Sequence, residues 1–362
     1  MSALDLSLDA AALTVALCDI ESVSGNEKRL ADEIELALRA FPHLTVDRDG
    51  DAVVARTSLG RGERVVVAGH IDTVPLGDNL PCRVEDGRIH GCGTTDMKSG
   101  VAVQLRLAAQ LPEPNRDVTY VFYDHEEVEA YKNGLGRIAR NNPDWLAADF
   151  AVLMEPTNAT VEGGCQGTLK AEVVLHGHRA HSARSWMGRN AVHAAADVLA
   201  RLAAYEPEQV EIDGLLYREG LQAVGIHGGV AGNVVPDECT VSVNYRFAPS
   251  KSEEEAAEVV LRVLDGYDVT VSDSAPGALP GLSHPAAAAF VEMVGREPQP
   301  KFGWTDVSRF SSLGVPAVNY GPGDPSVAHQ REEYCDVAPI LECDKRMFAW
   351  LGGLPLTGSA AG

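Results

Sequence analysis

Histidine and acidic residues follow the apolar runs of this sequence, at the points where those runs end. One run leads into His70 and Asp72, a second leads into Glu126 and Glu127, and a third leads into Glu155. Runs of β-branched and aromatic residues predict buried strands. In open α/β sheets, ligands gather beyond the carboxyl ends of the strands. The sequence therefore predicts a site of imidazoles and carboxylates, whose chemistry is metal-assisted hydrolysis.

His70 and Asp72 lie two residues apart, so an extended backbone directs both side chains to one face. A histidine that binds a metal usually donates its other N–H to a carboxylate, which fixes the orientation of the ring. We therefore predict that His70 binds metal and that Asp72 orients it. The alternative is a strand-end histidine hydrogen-bonded to an aspartate in a turn.

Glu126 and Glu127 are adjacent and follow two further polar residues, Asp124 and His125. Neighbouring side chains on an extended backbone diverge, so the two carboxylates can do different work. One can bind a metal ion while the other accepts a proton from water. A solvated acidic turn accounts for the pair equally well.

Three further residues are candidate ligands. Asp96 lies between a glycine-containing loop and a predicted helix, where capping of the helix is the alternative role. Glu155 precedes a proline, which favours extended geometry. His329 lies in a loop, where a solvated histidine is the alternative. Two histidines and three carboxylates can hold two zinc ions if one carboxylate bridges them, and ligands without thiolate suit catalytic zinc.

The elements that position these residues follow two patterns. Residues 1–166 alternate helical and strand patterns, which predicts a mostly parallel sheet covered by helices. Residues 168–271 follow the order strand, helix, strand, strand, helix, strand, which is typical of a ferredoxin-like unit. We therefore predict a catalytic domain in two segments, 1–167 and 278–362, interrupted by a smaller domain over 168–277. Residues 358–362 are predicted to fray.

Composition limits the partners and the compartment. The chain has 362 residues and a formal net charge of -22, which opposes binding to nucleic acid or to an anionic membrane surface. No stretch is long enough to span a bilayer. The seven cysteines are scattered without a Cys-x-x-Cys pair, so the sequence indicates neither a disulfide framework nor a thiolate zinc site. Reduced thiols favour the cytoplasm.

Several segments resemble the di-zinc aminoacylase and carboxypeptidase family. They are Gly69-His70-Ile71-Asp72-Thr73-Val74-Pro75, Asp96-Met97-Lys98-Ser99-Gly100, Glu126-Glu127 and Glu155-Pro156-Thr157. These segments run in the family's order over nearly the whole chain. The resemblance implies an α/β zinc-peptidase domain of mostly parallel sheet, with an inserted ferredoxin-like domain that serves as lid and dimerisation domain. It also implies a homodimer.

The resemblance implies a role for each candidate residue. Its metal is zinc, two ions per subunit with Co²⁺ as a substitute, held as follows: His70 and Glu155 on one ion, Glu127 and His329 on the other, and Asp96 bridging both. Glu126 would be the general base and then the acid, and Asp72 would orient His70. In the inserted domain, His181 would reach the partner subunit's site and stabilise the oxyanion.

The substrate-binding residues rest on two kinds of argument. By resemblance, Asn233 and Arg246 match positions of the inserted domain that contact substrate. By residue type, Thr168, Thr305 and the backbone around Gly323 are candidate hydrogen-bond donors for a small-molecule substrate that carries carboxylates.

Residues 123–129, 154–158 and 164–168 resemble one branch of the family, the desuccinylases of actinobacteria. That branch implies hydrolysis of N-succinyl-L,L-2,6-diaminopimelate. Departures at Cys92, Cys165-Gln166 and Trp304 leave the acyl and amine preference open, so acetylornithine deacetylase and metallo-amino- or carboxypeptidase activities remain alternatives.

Two other classes of function use some of the same residue types. One is a non-catalytic metal- or peptide-binding relative. The presence of Glu126 beside the candidate ligands disfavours it, because a binding protein needs no base there. The other is a magnesium-dependent phosphatase, which the two histidines and the lack of a glycine-rich phosphate loop disfavour.

Overall fold

The fold is that of a computed structural model in which residues 4–353 are described, so the fraying predicted at 358–362 lies outside the described residues. The helices are α1 (Ala10–Cys18), α2 (Lys28–Leu38), α3 (Lys98–Gln110), α4 (Gly134–Asn141), α5 (Ala191–Ala203), α6 (Glu253–Val263), α7 (Pro285–Val294), α8 (Val307–Ser312) and α9 (Val337–Gly352). The strands are β1 (Thr45–Asp49), β2 (Ala52–Arg56), β3 (Arg64–His70), β4 (Arg83–Glu85), β5 (Arg88–His90), β6 (Asp117–Tyr123), β7 (Phe150–Leu153), β8 (Glu162–Gly163), β9 (Gly167–His176), β10 (Ala180–His181), β11 (Gln209–Ile212), β12 (Leu215–Arg218), β13 (Gly220–Gly228), β14 (Val234–Val235), β15 (Glu238–Phe247), β16 (Asp268–Ala275), β17 (Gln299–Pro300), β18 (Ala317–Asn319) and β19 (Tyr334–Asp336).

The chain divides into two compact units. The first comprises Met1–Gly163, Pro280–Gln299 and Arg309–Gly362, and the second comprises Gly164–Leu279 and Pro300–Ser308. The unit boundaries lie a few residues from the predicted domain boundaries. Residues 300–308 differ from the prediction, which assigned them to the catalytic segment. They group with the second unit because hydrogen bonds tie them to it, including the one from the Gln166 N–H to the Lys301 carbonyl at 3.2 Å.

The first unit is built on an eight-stranded sheet in the order β1-β2-β6-β3-β7-β18-β8-β17. Its middle strands β6, β3, β7 and β18 are parallel, while β1, β2 and β8 join antiparallel. Every residue of β6 and β7 is buried, as expected for parallel strands covered on both faces. The predicted mostly parallel sheet is confirmed, with antiparallel strands toward its edges.

The second unit has a four-stranded antiparallel sheet in the order β13-β15-β9-β16. Helices α5 and α6 pack against it, and together the elements give the predicted ferredoxin-like order. Helix α6 begins after Ser252, which forms a capping box with Glu255. The hairpin of β11 and β12, inserted between α5 and β13, was not predicted.

Helices bury the apolar faces of the first unit's sheet. Helix α3 packs against β3 and β6, and α1 and α9 pack against α3. Phe150 of β7, Phe290 of α7 and Trp350 of α9 form an aromatic cluster with ring centroids 4.8–6.1 Å apart. Within residues 4–353, no helix combines the length and the hydropathy that crossing a membrane requires.

Candidate metal centre and its surroundings

Three potential metal ligands converge in the first unit, beyond the carboxyl ends of its parallel strands. His70 ends β3, Asp96 precedes α3, and Glu127 follows β6. One ligand atom of each residue lies within 4.8 Å of the other two. Nε2 of His70 is 3.0 Å from Oδ1 of Asp96. The sheet thus brings together residues that are far apart in the sequence.

His329 joins this cluster from the loop before β19. Its Nε2 is 2.8 Å from Oε1 of Glu127 and 3.4 Å from Oδ2 of Asp96. The two oxygens of Asp96 therefore face different imidazoles, Oδ1 toward His70 and Oδ2 toward His329. A carboxylate that bridges two ions needs this arrangement. The φ of His329 is 62°, a left-handed conformation that is uncommon outside glycine and that clusters at functional sites.

The donor set fits divalent metal ions. A tetrahedral ion with bonds of about 2.0–2.2 Å places neighbouring ligand atoms roughly 3.3–3.6 Å apart. Of the spacings in the cluster, 3.4 Å lies within that range, and 2.8 and 3.0 Å lie slightly below it. Nitrogen and oxygen donors without thiolate are the set expected for a catalytic rather than a structural zinc site.

Glu155 is also buried, with 5% of its surface exposed, and lies two residues beyond β7. It is outside the group whose ligand atoms lie within 4.8 Å of one another. Its position at the end of a parallel strand follows the pattern of His70 and Glu127. Its role as a ligand stays a prediction.

Asp72 anchors the backbone of both glutamates. Its Oδ1 accepts the N–H of Glu126 at 3.1 Å, and its Oδ2 accepts the N–H of Glu127 at 3.0 Å and the hydroxyl of Ser24 at 2.6 Å. Nδ1 of His70 lies 3.2 Å from the Asp72 carbonyl oxygen and 3.4 Å from Oδ1. Asp72 is fully buried, so one carboxylate fixes the segment that carries Glu126 and the ring of His70.

Glu333 holds the loop before α3 in the same way. Its carboxylate accepts the N–H groups of Gly93, Thr95 and Asp96 at 3.1, 2.9 and 3.1 Å. Sequence reasoning missed this role, as it missed Ser24. The only available indication was that Glu333 lies four residues after a candidate ligand, His329.

The charges of the cluster shift one another's pKa values. Burial alone would lower the pKa of His70, but Asp72 and Asp96 outweigh it and raise that pKa well above its usual value. Burial alone would raise the pKa of Asp96, but hydrogen bonds from His329 and His70 hold it well below its usual value. Hydrogen bonds to Asp96 and Glu127 raise the pKa of His329 to about 10. Burial raises the pKa of Glu333 to about 7.

In the second unit, His181 and Asn233 lie beside each other. His181 pairs with Val234 in the ladder of β10 and β14, and the N–H of Ser182 donates to the Asn233 carbonyl at 2.9 Å. Nδ1 of His181 accepts the N–H of Ala183 at 3.1 Å, so the neutral ring carries its proton on Nε2. His181 and Asn233 are both exposed, which leaves Nε2–H available to a ligand.

Thr168, Arg246 and Thr305 also lie in the second unit. Thr168 of β9 is the register partner of Arg246 of β15. Burial lowers the pKa of Arg246, which makes no hydrogen bond or ion pair through its side chain with residues 4–353. Thr305 is buried, and its carbonyl accepts the N–H of Ser308 at 3.1 Å.

Gly323 belongs to the first unit and has a φ of 90°. A Cβ there would lie 3.1 Å from Cα of Thr95, next to Asp96. Its carbonyl accepts the N–H of Asn158 at 2.7 Å. Only glycine combines this conformation with such close packing against the loop of Asp96.

Residues 66–351 match the peptidase family M20/M25/M40. The chain belongs to this family. As an M20 peptidase it is a hydrolase that acts on an amide bond. The match includes every residue of the carboxylate and imidazole cluster and all of the second unit.

Similar proteins extend the comparison over the full length. DapE of Mycobacterium tuberculosis is 56% identical over 353 residues, covering 97% of this chain and 100% of that protein. The succinyl-diaminopimelate desuccinylase of Corynebacterium glutamicum is 51% identical, covering 94% and 95%. The YXEP protein of Bacillus subtilis, described as a dinuclear metal binding peptidase of the M20 family, matches the fold with a TM-score of 0.67 at 15% identity, covering 94% and 96%.

Proposed function

We propose that this chain hydrolyses N-succinyl-L,L-2,6-diaminopimelate to succinate and L,L-2,6-diaminopimelate, a step in lysine and diaminopimelate biosynthesis. The observation that carries the proposal is the similarity to the Corynebacterium glutamicum desuccinylase over 94% of the chain. The cluster of His70, Asp96 and Glu127 supports the same reaction class, because metal-assisted hydrolysis uses carboxylate and imidazole ligands.

The proposed cofactor is zinc, two ions per subunit, with Co²⁺ as a substitute. His70 and Glu155 would hold one ion, Glu127 and His329 the other, and Asp96 would bridge them. The description of the Bacillus subtilis relative as a dinuclear metal binding peptidase supports two ions, and the donor chemistry supports zinc. Bound zinc lowers the pKa of water and polarises a carbonyl oxygen.

Glu126 is the proposed general base. It would accept the proton of the attacking water and deliver it to the nitrogen of the leaving amine, so the amide C–N bond breaks as a C–O bond forms. Asp72 is the proposed positioning residue, since its carboxylate binds the N–H of Glu126 at 3.1 Å and of Glu127 at 3.0 Å. A base whose backbone is fixed in this way loses little entropy on the way to the transition state.

His181 is the proposed donor to the oxygen that becomes negatively charged. Its Nδ1 is occupied by the Ala183 N–H, so Nε2 carries the proton that this role needs. A donor aimed at developing charge stabilises the transition state more than the ground state. By resemblance, His181 would act in the partner subunit's site.

The substrate carries several carboxylates, and an acidic protein needs local cations and donors to bind them. Arg246 is the proposed cation, since it is half-buried and its guanidinium makes no ion pair with residues 4–353. Further proposed hydrogen-bond donors would complete the substrate site. They are Thr168, Asn233, Thr305 and the backbone of Gly323.

A substrate panel tests the proposed reaction. Purified protein loaded with zinc is incubated with N-succinyl-L,L-diaminopimelate, N-acetylornithine and a dipeptide, and free amine is measured. We expect cleavage of the succinyl substrate and little of the other two. Cleavage of N-acetylornithine or the dipeptide alone would overturn the substrate assignment and leave the amide hydrolase standing.

We propose that the first unit is the catalytic domain and that the second is a lid that forms a homodimer. Strand β13 is an edge of the second unit's sheet, and its Val224 is 65% exposed. An apolar edge strand is a template for pairing with another chain. Trp186, 79% exposed, adds apolar surface to the same unit.

Sedimentation of the wild type and two variants tests the dimer. Val224→Lys places a charge on edge strand β13, and Val271→Lys, on the opposite edge strand β16, is the matched control. We expect the first variant to dissociate and the second to remain dimeric. A monomeric, fully active wild type would contradict the proposal.

The proposed compartment is the cytoplasm, and the proposed ligand is a small molecule rather than nucleic acid or a membrane. All seven cysteines are unpaired, as a reducing compartment favours. The net charge of -22 disfavours polyanionic partners. Fractionation of cells that express the tagged protein tests the compartment, and recovery in the membrane pellet would contradict it.

A further inference from the structure

The first unit contains a cavity of about 680 Å³ outside the candidate metal ligands. It is lined by residues 77–81, by Arg83, Arg88, His90 and Gly91 of the β4–β5 region, and by residues 331–334. This volume falls within the range of small-molecule sites, about 300–1,000 Å³. None of the residues that line the cavity belongs to the reaction proposed above.

Three guanidinium groups face this cavity in a protein whose net charge is -22. Arg83 is exposed on strand β4, and its side chain has no hydrogen bond or ion pair with residues 4–353. Arg88 pairs with Asp336 at 2.9 Å and lies 4.3 Å from the ring centroid of Tyr334. Arg331 donates to the Gly77 carbonyl at 2.7 Å and pairs with Asp78. Arginine binds carboxylates through two parallel hydrogen bonds.

The cavity also presents a free negative charge. Glu332 is exposed, and its carboxylate has no hydrogen bond or ion pair with the described part of the chain. Asp78 and Glu333 also line the cavity, but the first is paired with Arg331 and the second binds backbone N–H groups. A purely anionic ligand would meet Glu332 unfavourably, whereas a zwitterion matches both signs.

We propose that this cavity binds a free amino acid. Its carboxylate contacts Arg83 and Arg88, its ammonium group contacts Glu332, and its side chain packs along Tyr334. Each free charge of the cavity then gains a partner of opposite sign, and these contacts compensate for the hydration that the charged groups lose when the ligand displaces water.

The cavity wall connects to the metal cluster through two short paths. Glu333 lines the cavity, and its carboxylate holds the N–H groups of Thr95 and Asp96 at 2.9 and 3.1 Å. Gly91 also lines the cavity, and its N–H donates to the Glu333 carbonyl at 3.0 Å. A Cβ on Gly91 would lie 2.5 Å from Sγ of Cys82, so this wall is tightly packed. A bound amino acid is therefore expected to change the turnover rate as well as to bind.

Calorimetric titration of the full-length, metal-loaded protein tests the binding. The amino acid probes are L-lysine and L,L-diaminopimelate, and the probes that carry one sign of charge only are succinate, inorganic phosphate and cadaverine. We expect an amino acid to bind about tenfold more tightly than any single-sign probe, the usual effect of one charge-assisted hydrogen bond.

Two variants locate the site, and a third is the matched control. Arg83→Gln and Glu332→Gln change exposed side chains and are each expected to weaken the amino acid about tenfold without altering the basal rate. Arg29→Gln changes an exposed arginine of α2 that has no side-chain partner among residues 4–353, and it is expected to bind like the wild type.

Equal affinity in the wild type and in both cavity variants would overturn the proposal, because the amino acid would then bind elsewhere, as a product at the metal cluster would. Absence of binding at millimolar concentration, or tighter binding of phosphate or succinate, would overturn it as well. Only the rate effect rests on the proposed function. Binding is measured directly, so its failure and that of the desuccinylase reaction are distinguishable.

Discussion

Two pairs of candidate residues, one pair in each unit, differ in burial. In the first unit, His70 and Asp72 are 1% and 0% exposed, and each contacts other members of the cluster. In the second unit, His181 and Asn233 are exposed, and their contacts are with nearby backbone. A buried charge without a partner is costly, so the buried residues of the first unit's cluster need partners that the fold places beside them.

This difference separates two kinds of mutational effect. A change at a buried residue of the cluster, such as Asp72, alters the free energy of unfolding together with activity, because it leaves a buried partner unsatisfied. A change to an exposed residue of the second unit alters activity with little effect on stability. Measuring activity, metal content and unfolding on the same variants tests whether the two units differ in this way.

The largest effect is expected from Glu126→Gln. Loss of a general base typically costs about 10²–10⁴ in rate. Because Glu126 is not a proposed ligand, the variant should keep its metal. Steady-state kinetics and elemental analysis on one preparation check both statements. Loss of metal along with activity would make Glu126 a ligand instead of the base.

His181→Ala tests an exposed candidate residue of the second unit. Removing one donor to an oxyanion costs about 10²–10³ in kcat. The free energy of unfolding should stay within about 0.5 kcal/mol of the wild-type value, because the side chain is exposed. His178→Ala, an exposed histidine of the same segment, is the control and should retain activity. An unfolding change above that range would show that His181 is structural.

Asp72→Asn tests a buried candidate residue of the first unit. In the wild type, one carboxylate oxygen of Asp72 accepts the N–H of Glu126 and the other accepts the N–H of Glu127. The asparagine side chain has only one acceptor oxygen for these two N–H groups. We expect activity or metal affinity to fall about 10- to 100-fold, together with a lower free energy of unfolding. Urea denaturation and metal titration measure the two effects. Unchanged activity would mean that Asp72 does not position the glutamates.

Asp117→Asn is the matched control at the opposite end of the sheet and carries the smallest effect. Asp117 begins β6, and its buried carboxylate accepts the N–H groups of Leu59 and Arg61 at 2.7 and 2.9 Å. We expect unfolding to become easier by about 1–3 kcal/mol while kcat is retained. A loss of kcat would show that destabilisation alone explains the Asp72 variant.

The same variant has a defined pH dependence. Burial alone would raise the pKa of Asp117, but its hydrogen bonds hold it below the usual value. A carboxyl group with a lowered folded-state pKa stabilises the protein above its unfolded pKa of about 3.9, and that contribution is lost as pH falls through the folded pKa. The stability gap between wild type and Asp117→Asn should therefore narrow below about pH 4.

The sequence predicted most of the fold because its periodic patterns were clear. The order of strands and helices predicted over 168–271 is found in the structure, with, for example, a strand at Glu238–Phe247 followed by a helix at Glu253–Val263. The hairpin of Gln209–Ile212 and Leu215–Arg218 escaped prediction although the sequence carries its signal. Gln209 to Ile212 alternates polar and apolar residues, and Asp213-Gly214 is a typical two-residue hairpin turn.

The candidate ligands were predicted because they follow buried strands, a local feature. Glu333 and Ser24 were missed because their roles depend on contacts made across the fold. Glu333 binds backbone N–H groups more than 230 residues away, and Ser24 binds Asp72 from 48 residues away. Backbone donors have no sequence pattern of their own, so only the folded chain reveals them.

Stepwise restoration of zinc to metal-stripped protein tests the central claim most directly. Succinate release from N-succinyl-L,L-diaminopimelate is followed as bound zinc per chain is measured, with Glu126→Gln as the comparison. The proposal predicts that activity returns with zinc and levels off near two ions per chain, while the variant binds the same zinc without turning over. Full activity of the stripped protein, or full activity of the variant, would contradict it.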